Sequence, residues 1–279
     1  FLIYSFRSVI GVVVILCFLK FSKNKINLRT YYPYLTMLRC LLFFIGFTLF
    51  YISLSVLSYP IAITLFFTSP FFVTIFSKII LKEKIGIKRL FAIIIGFIGV
   101  VLVMDPKLNN FNFYTLFPII TALCYSLTVI IQNKTSIKDN LFAQTFHILF
   151  ATSFLSLIIG SIIFQGQFDI YENEVLHFLF RKWELSMNLS LIFLLLIGIC
   201  GTSGLLCLFQ AYRIASPPTI APFEYIAILF AIIFGWLIWG ELINLQSTIG
   251  LFFIIAGGLY TFFREVKRNK LISVEKPLR

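Results

Sequence analysis

The 279-residue chain is 60% hydrophobic and only 12% charged, and its mean hydropathy is +1.00. A soluble domain carries about 25% charged residues, so this chain has too little polar surface to cover a water-soluble particle. The composition therefore excludes a soluble globular protein, a disordered chain and a free nucleic-acid-binding domain. The formal net charge of +12 is better explained by membrane topology, which the positions of the charges test.

The apolar runs predict an all-α polytopic membrane protein. A helix needs about 20 apolar residues to cross the hydrocarbon core of a bilayer, and these runs are too long and too uniform for barrel strands. Nine spans are predicted, at 3–20, 36–57, 61–81, 88–104, 113–132, 142–163, 188–209, 219–239 and 245–263. The long connection 164–187 contains a predicted amphipathic surface helix at 175–185. The five cysteines lie inside apolar runs, so we expect neither a disulfide nor a bound metal.

The basic residues between the predicted spans favour one side of the membrane. If the spans alternate in direction, 17 lysines and arginines lie on one side and three on the other. The positive-inside rule assigns the richer side, with the C-terminus, to the cytoplasm. This topology accounts for most of the net charge, so no nucleic-acid partner is expected.

Two stretches of the chain align without a gap when one is shifted by 158 residues. The matched pairs include Ser58 with Ser216, Pro60 with Pro218, and Glu83 with Glu241. The first glutamate lies in a strongly basic turn and is predicted inside, whereas the second has no basic neighbour and is predicted outside. The copies therefore run in opposite directions, and inverted repeats of this kind are typical of alternating-access transporters.

The repeat predicts how the chain is organised. The first repeat covers 1–104, the second covers 113–264, and a basic cytoplasmic tail follows at 265–279. The second repeat holds five predicted spans, but the first holds four and the chain begins with Phe1. We therefore expect a further helix before Phe1, which would complete a five-plus-five arrangement.

The sequence around these repeats resembles the EamA family of the drug/metabolite transporter superfamily. The matching segments are 67–70, 82–84, 96–100, 210–213, 221–225, 240–241 and 256–258. The resemblance extends over nearly the whole chain and implies a ten-helix carrier of the bacterial inner membrane. Known substrates of this family include amino acids, S-adenosylmethionine, riboflavin and drug-like cations.

Charged residues inside predicted spans are the first candidates for function, because each costs roughly 2.5–3.5 kcal/mol to insert. Glu224 is the only acid well inside a span, and it could bind a cationic group of a substrate or carry a coupling proton. Alternatively, it forms a structural pair with Arg39 or Lys78. Those two cations lie near cytoplasmic span ends and are predicted to extend to the headgroups. Arg7 matches a family arginine and could extend likewise or face the central cavity.

Uncharged polar and aromatic residues complete the predicted substrate site. Together with Glu224 and Arg7, the predicted binding residues are Tyr225, Gln210, Tyr125, Ser69, Thr68 and Tyr51. Thr68 and Ser69 belong to the repeat partner of the helix that carries Glu224, so both walls of one cavity should contribute. Two glycine series, Gly198–Gly201–Gly204 and Gly96–Gly99, recur at every third residue and are predicted to let helices pack closely.

The chain contains no phosphate-binding loop and no metalloprotease or serine-hydrolase motif, so we expect neither an enzyme nor a bound cofactor. The prediction is a secondary transporter of a small metabolite, an amino acid or a related cation such as S-adenosylmethionine, working by alternating access. The alternatives are a drug or metabolite efflux carrier, a non-transporting membrane assembly subunit and an intramembrane enzyme. Its expected partners are the small substrate and the lipid bilayer, while proton coupling and a homodimer stay open.

Overall fold

The computed structural model describes residues 2–21, 27–82, 87–104, 112–163, 189–240 and 244–275. The helices are α1 (Leu2–Phe21), α2 (Pro33–Ser53), α3 (Tyr59–Phe66), α4 (Ser69–Ile80), α5 (Ile87–Met104), α6 (Leu116–Thr135), α7 (Leu141–Ile163), α8 (Leu189–Ile214), α9 (Pro217–Ile220), α10 (Ile226–Trp239) and α11 (Leu245–Glu275). Short 3₁₀ segments lie at Phe113–Thr115 and Ala221–Tyr225, and these described ranges contain no strand. The predicted surface helix at 175–185 lies outside them.

Seven apolar segments of the described chain are long enough to cross a membrane. They are Ile3–Phe21, Pro33–Ser53, Tyr59–Ile80, Phe113–Thr135, Leu141–Ile162, Ile192–Ile214 and Pro217–Ile238. The other two predicted spans, 88–104 and 245–263, fall on α5 and α11, whose described apolar stretches are shorter. The all-α polytopic architecture is confirmed, and the count of nine spans stays a prediction.

Two of the predicted spans are interrupted. The span predicted at 61–81 is confirmed as the apolar segment Tyr59–Ile80, but it consists of two helices. There α3 ends at Phe66 and α4 begins at Ser69. The cause is Pro70, which has no N–H to donate to the carbonyl of Phe66. The backbone N–H of Thr68 instead donates to the Leu65 carbonyl at 3.2 Å, a tighter 3₁₀-like bond. The span predicted at 219–239 likewise passes through a 3₁₀ segment before α10 begins.

The described helices form two compact units. Unit 1 comprises residues 1–56 and 131–214, and it therefore contains α1, α2, the end of α6, α7 and α8. Helix α1 packs against α7 and α8, and α2 packs against α7. The core of unit 1 is formed by Cys40, Phe43, Ile148 and Phe209.

Unit 2 comprises residues 57–130 and 215–279, with α5 and α11 as its most extensively packed helix pair. The two helices meet backbone to backbone. A Cβ atom added to Gly99 would lie 2.5 Å from the carbonyl oxygen of Gly250, and one added to Gly257 would lie 2.7 Å from that of Ala92. Each residue of one contact is 158 positions from a residue of the other, so the two contacts are related by the repeat offset.

Of the five glycines predicted to let helices pack closely, three make a close contact, Gly201 makes an ordinary contact with the Arg7 side chain, and Gly204 makes none with the described residues. Gly198 packs against Ile10, Gly96 against the ring of Phe71, and Gly99 against the backbone of α11. Among the described residues, no heavy atom lies within 4 Å of a Cβ placed on Gly204. Regular spacing along a helix identifies a common face but not whether a neighbouring helix covers all of it.

A residue with positive φ follows each of the helices α4 and α10. Lys82, just after α4, has φ 58°, and Gly240, just after α10, has φ 66°. Left-handed φ values are common in residues that terminate helices, and glycine adopts them most easily. These two residues are also 158 positions apart.

Candidate functional site

The carboxylate of Glu224 lies in the second of the two interrupted spans, the one predicted at 219–239. Glu224 belongs to the 3₁₀ segment that precedes α10 and is half-buried. The hydroxyl of Tyr125, on α6, donates a hydrogen bond of 2.8 Å to Glu224 Oε1. Tyr125 is itself only 5% exposed, so a buried phenol fixes one oxygen of a carboxylate that sits inside an apolar segment.

Aromatic rings extend from this carboxylate to the other interrupted span. The ring of Tyr125 lies 5.3 Å from that of Phe66, Phe66 lies 5.5 Å from Phe67, and Phe67 lies 5.8 Å from Tyr225. Aromatic rings next to a carboxylate are suited to binding an organic cation. Phe67 was missed as a candidate, although the repeat offset pairs it with Tyr225 and could have identified it.

Thr68 and Ser69 are buried at the interruption between α3 and α4. The hydroxyl of Thr68 donates to the Leu65 carbonyl at 3.0 Å and so caps the end of α3. Ser126 Oγ, on α6, lies 3.0 Å from the carbonyl oxygen of Ser69 and 2.6 Å from that of Ala122. These contacts hold the interruption beside the helix that carries Tyr125.

The remaining predicted binding residues belong to unit 1. Arg7 and Tyr51 both contact Tyr4: the Arg7 Cζ lies 5.5 Å from the centre of the Tyr4 ring, and the Tyr51 ring lies 5.4 Å away. Gln210 is exposed on α8. Of the eight predicted residues, therefore, unit 2 brings together Thr68, Ser69, Tyr125, Glu224 and Tyr225, and unit 1 brings together Arg7 and Tyr51.

The prediction that Arg39 extends to the headgroups is wrong. Its side chain is 1% exposed, its Nη2 donates to the carbonyl of Gln144 at 2.6 Å, and its Cζ lies 5.9 Å from the ring centre of Phe209. The interior of unit 1 thus offers the guanidinium an acceptor and an aromatic face in place of the headgroups. Lys78 is exposed, and its extension to the headgroups stays a prediction.

A second buried carboxylate, which the sequence analysis missed, connects the elements at one end of unit 1. Asp139 is 3% exposed and accepts hydrogen bonds of 2.7 Å from both the hydroxyl of Thr30 and the backbone N–H of Tyr31. Arg213 Nη1 donates to the backbone carbonyl of Asp139 at 2.7 Å and lies 3.3 Å from Gln144 Oε1. In the sequence, Asp139 is the only acid in the short basic turn between α6 and α7, and this pattern could have identified it as a candidate.

We expect Asp139→Ala to lower the free energy of unfolding by about 2–4 kcal/mol, because it removes two charge-assisted hydrogen bonds and leaves the Tyr31 N–H without its carboxylate acceptor. The midpoint of thermal unfolding of the purified protein measures this effect. Lys138→Ala, at an exposed position in the same turn, is the matched control and should change the midpoint little. Equal midpoints for the two variants would contradict a stabilising role for the Asp139 carboxylate.

The apolar helices of membrane-spanning length define a multi-pass membrane protein, and a half-buried carboxylate at an interrupted span is typical of the transporter class. The sequence profile of the EamA-like transporter family matches residues 1–105 and 112–263. The chain therefore belongs to the EamA-like transporter family.

Several relatives with names that state a substrate resemble the chain over most of its length. The S-adenosylmethionine uptake transporter of Rickettsia felis is 26% identical over 262 residues, which cover 94% of this chain and 82% of the relative. The riboflavin transporter of Vibrio cholerae serotype O1 is 28% identical over 237 residues, or 83% and 72% of the two chains. A crystal structure with 16% sequence identity superposes with a TM-score of 0.62, over 92% of this chain and 85% of the other. That likeness supports the fold alone.

Proposed function

We propose that the protein is a secondary transporter that carries a small organic metabolite across the bacterial inner membrane, without enzymatic activity. The observation that carries this proposal is the Glu224 carboxylate, bound by Tyr125 where an apolar span is interrupted. An ionisable group at such a position is costly and marks a substrate or ion pathway by default. Interrupted helices form the substrate sites of many secondary transporters.

Alternating access between two inverted repeats, 1–104 and 113–264, is the proposed mechanism. It is supported by two backbone contacts in unit 2, Gly99 with Gly250 and Gly257 with Ala92. The repeat offset of 158 residues relates each residue of one contact to a residue of the other. Alternating access is also supported by the positive-φ residues that follow α4 and α10, Lys82 and Gly240. Rocking of one repeat against the other would then expose the site to each side in turn. In the proposed orientation the C-terminus is cytoplasmic, as the basic residues indicate.

A metabolite that carries a positive charge is the proposed substrate, and S-adenosylmethionine is the first to test. Its sulfonium and ammonium groups are cations that a carboxylate flanked by aromatic rings would attract, and the Rickettsia relatives are named for its uptake. Riboflavin is the second candidate, because the rings of Phe66, Phe67, Tyr125 and Tyr225 could stack on a flavin. An efflux carrier for aromatic cations would use the same site in the opposite direction.

Protein-dependent uptake tests this proposal. Purified protein in liposomes should accumulate radiolabelled S-adenosylmethionine, with unlabelled substrate competing, whereas protein-free liposomes should not. In parallel, S-adenosylmethionine should raise the thermal unfolding midpoint in detergent, since a ligand that binds only the folded state stabilises it. Neither uptake nor a thermal shift with S-adenosylmethionine, riboflavin, amino acids or cationic drugs would refute the proposed substrate classes.

A further inference from the structure

An apolar groove lies between α5 and α11 of unit 2. It has a volume of about 430 Å³, and its lining includes Phe91, Ala92, Ile95, Ala256, Gly257 and Tyr260. Ligand pockets in proteins usually measure about 300–1,000 Å³, so the groove falls within the size range of a binding site.

Small residues form the floor of this groove and large residues form its walls. At the floor the two backbones touch, because a Cβ added to Gly257 would lie 2.7 Å from the carbonyl oxygen of Ala92. Ala92 is buried, whereas Phe91, Ile95 and Tyr260 are 63%, 44% and 45% exposed. The close approach of the helices therefore leaves a narrow recess between large apolar side chains.

The two helices run antiparallel, which determines what lies beyond the groove. Gly99 of α5 contacts Gly250 of α11. Ala92, seven residues earlier in α5, contacts Gly257, seven residues later in α11. The groove is therefore bounded at one end by the first turn of α5 and by the part of α11 that follows Tyr260.

Both helices carry a basic residue one turn beyond the groove at this end. In α5, Lys88 precedes Phe91 by three positions and Ala92 by four. In α11, Arg264 follows Tyr260 by four positions. Residues three or four positions apart lie on the same face of an α-helix, and four residues span about 6 Å along its axis. The basic positions thus continue the two faces that line the groove.

The chain around these positions has an excess of positive charge. The segments 82–89 and 264–270 together contain eight lysines and arginines and two glutamates. An apolar groove that ends at such a charge is complementary to a molecule with an apolar chain and an anionic head. Within a membrane that description fits an anionic phospholipid, and basic pockets between membrane helices are known to bind such headgroups.

We propose that the groove binds an acyl chain of an anionic phospholipid whose headgroup lies at Lys88 and Arg264. An acyl chain gains little by leaving bulk lipid for an apolar groove, since both surroundings are apolar. The charge of the headgroup therefore decides which lipid binds. The inference concerns a lipid and not the transported solute, so it stands or falls separately from the transport function.

The first experiment measures thermal unfolding of the purified full chain in detergent, because a ligand that binds the folded state stabilises it. Dioleoyl-phosphatidylglycerol should raise the midpoint by a few degrees more than dioleoyl-phosphatidylcholine, which has the same chains and no net charge. The double variant Lys88→Gln/Arg264→Gln should respond equally to both lipids. Lys20→Gln/Arg29→Gln, at two exposed positions of unit 1, removes the same charge and should keep the wild-type difference. Equal responses of the wild-type protein to the two lipids would overturn the proposal.

The second experiment tests the groove itself. Ala256→Leu adds volume to the lining without changing any charge, so it should reduce the stabilisation by phosphatidylglycerol. Ala227→Leu, at an exposed position of α10, is the matched control and should respond like wild type. A full response of Ala256→Leu would show that the headgroup binds without a chain in the groove, which contradicts the proposal.

Should Ala256→Leu fail to fold, the length of the lipid chains takes the place of the substitution. Dihexanoyl-phosphatidylglycerol has the same headgroup as the dioleoyl lipid but chains too short to fill the groove from the basic end. It should stabilise the wild-type protein much less than the dioleoyl lipid at the same concentration. Equal stabilisation would assign binding to the headgroup alone and overturn the role of the groove.

A second copy of the chain is the other occupant that could cover the groove. Light scattering in lipid-free detergent gives the mass of the protein, and under the proposal that mass is the same for wild type and Ala256→Leu. A wild-type dimer that Ala256→Leu converts into a monomer would assign the groove to a protein interface and overturn the assignment to a lipid.

Discussion

Glu224→Gln is expected to reduce the affinity for a cationic solute such as S-adenosylmethionine by about tenfold to more than a hundredfold. The substitution removes a charge-assisted contact worth roughly 1.5–3 kcal/mol and nearly preserves the shape of the side chain. The amide oxygen of glutamine can still accept the 2.8 Å hydrogen bond from Tyr125, so the interrupted span should keep its structure. Uptake into proteoliposomes, measured at several solute concentrations and pH values, gives this result directly.

Tyr125→Phe is the matched control for Glu224→Gln, because it removes the hydrogen bond and leaves the carboxylate. We expect it to weaken uptake only severalfold, since a neutral donor to a charged acceptor positions the carboxylate but carries no charge itself. Riboflavin, which is uncharged at neutral pH, should be transported equally well by Glu224→Gln if it uses the aromatic rings. If the Glu224→Gln variant took up S-adenosylmethionine as well as the wild-type protein at every pH, both the cation-binding and the proton-carrying role of Glu224 would be refuted.

Much of the architecture could be predicted from sequence because the bilayer imposes a length and a composition on each helix. The predicted segments 36–57, 113–132 and 142–163 match α2, α6 and α7 closely for this reason. Glu224 could be nominated because a single acid in an apolar run is conspicuous. That Tyr125 donates to it could not be predicted, since 99 residues separate the two and only packing brings α6 beside the 3₁₀ segment.

The sequence-based predictions were incomplete or wrong where backbone hydrogen bonding ends a helix, or where residues of other helices bury a side chain. Hydropathy averages smoothly across 61–81 and cannot show that α3 ends at Phe66, although Pro70 was a readable signal. Arg39 was placed at the headgroups because its position near a span end permits that. Its burial depends on the carbonyl of Gln144 and the ring of Phe209, which belong to other helices. Proximity to a span end therefore fixes where a cation can extend, but its neighbours decide whether it does.

Gly99→Ala is expected to destabilise unit 2 by about 1–3 kcal/mol or more, the range for overpacking, and Gly99→Leu is expected to prevent accumulation of folded protein. The added Cβ would lie 2.5 Å from the carbonyl oxygen of Gly250 and 3.0 Å from the backbone nitrogen of Ile254. Both obstacles are backbone atoms of α11, so no side-chain rotation relieves the clash and the helices must separate. The yield of monodisperse protein and its thermal unfolding midpoint measure the effect.

Gly204→Ala is the matched control, since Gly204 also lies inside an apolar helix but has no heavy atom of the described chain within 4 Å of an added Cβ. It should stabilise the protein by up to about 1 kcal/mol, because alanine favours the helix over glycine. If Gly99→Ala were as stable as Gly204→Ala, the close approach of α5 and α11 would be wrong.

Gly257→Ala provides a second test of the same helix pair, because its added Cβ would lie 2.7 Å from the carbonyl oxygen of Ala92. Each single substitution should destabilise the protein, and the double variant Gly99→Ala/Gly257→Ala should cost less than the sum of the two. The reason is that the first methyl group already separates α5 from α11, so the second enters an interface that has opened. Mutations that share one interface are non-additive in this way. Strict additivity would instead show that the two contacts yield independently, and that α5 and α11 do not move as a rigid pair.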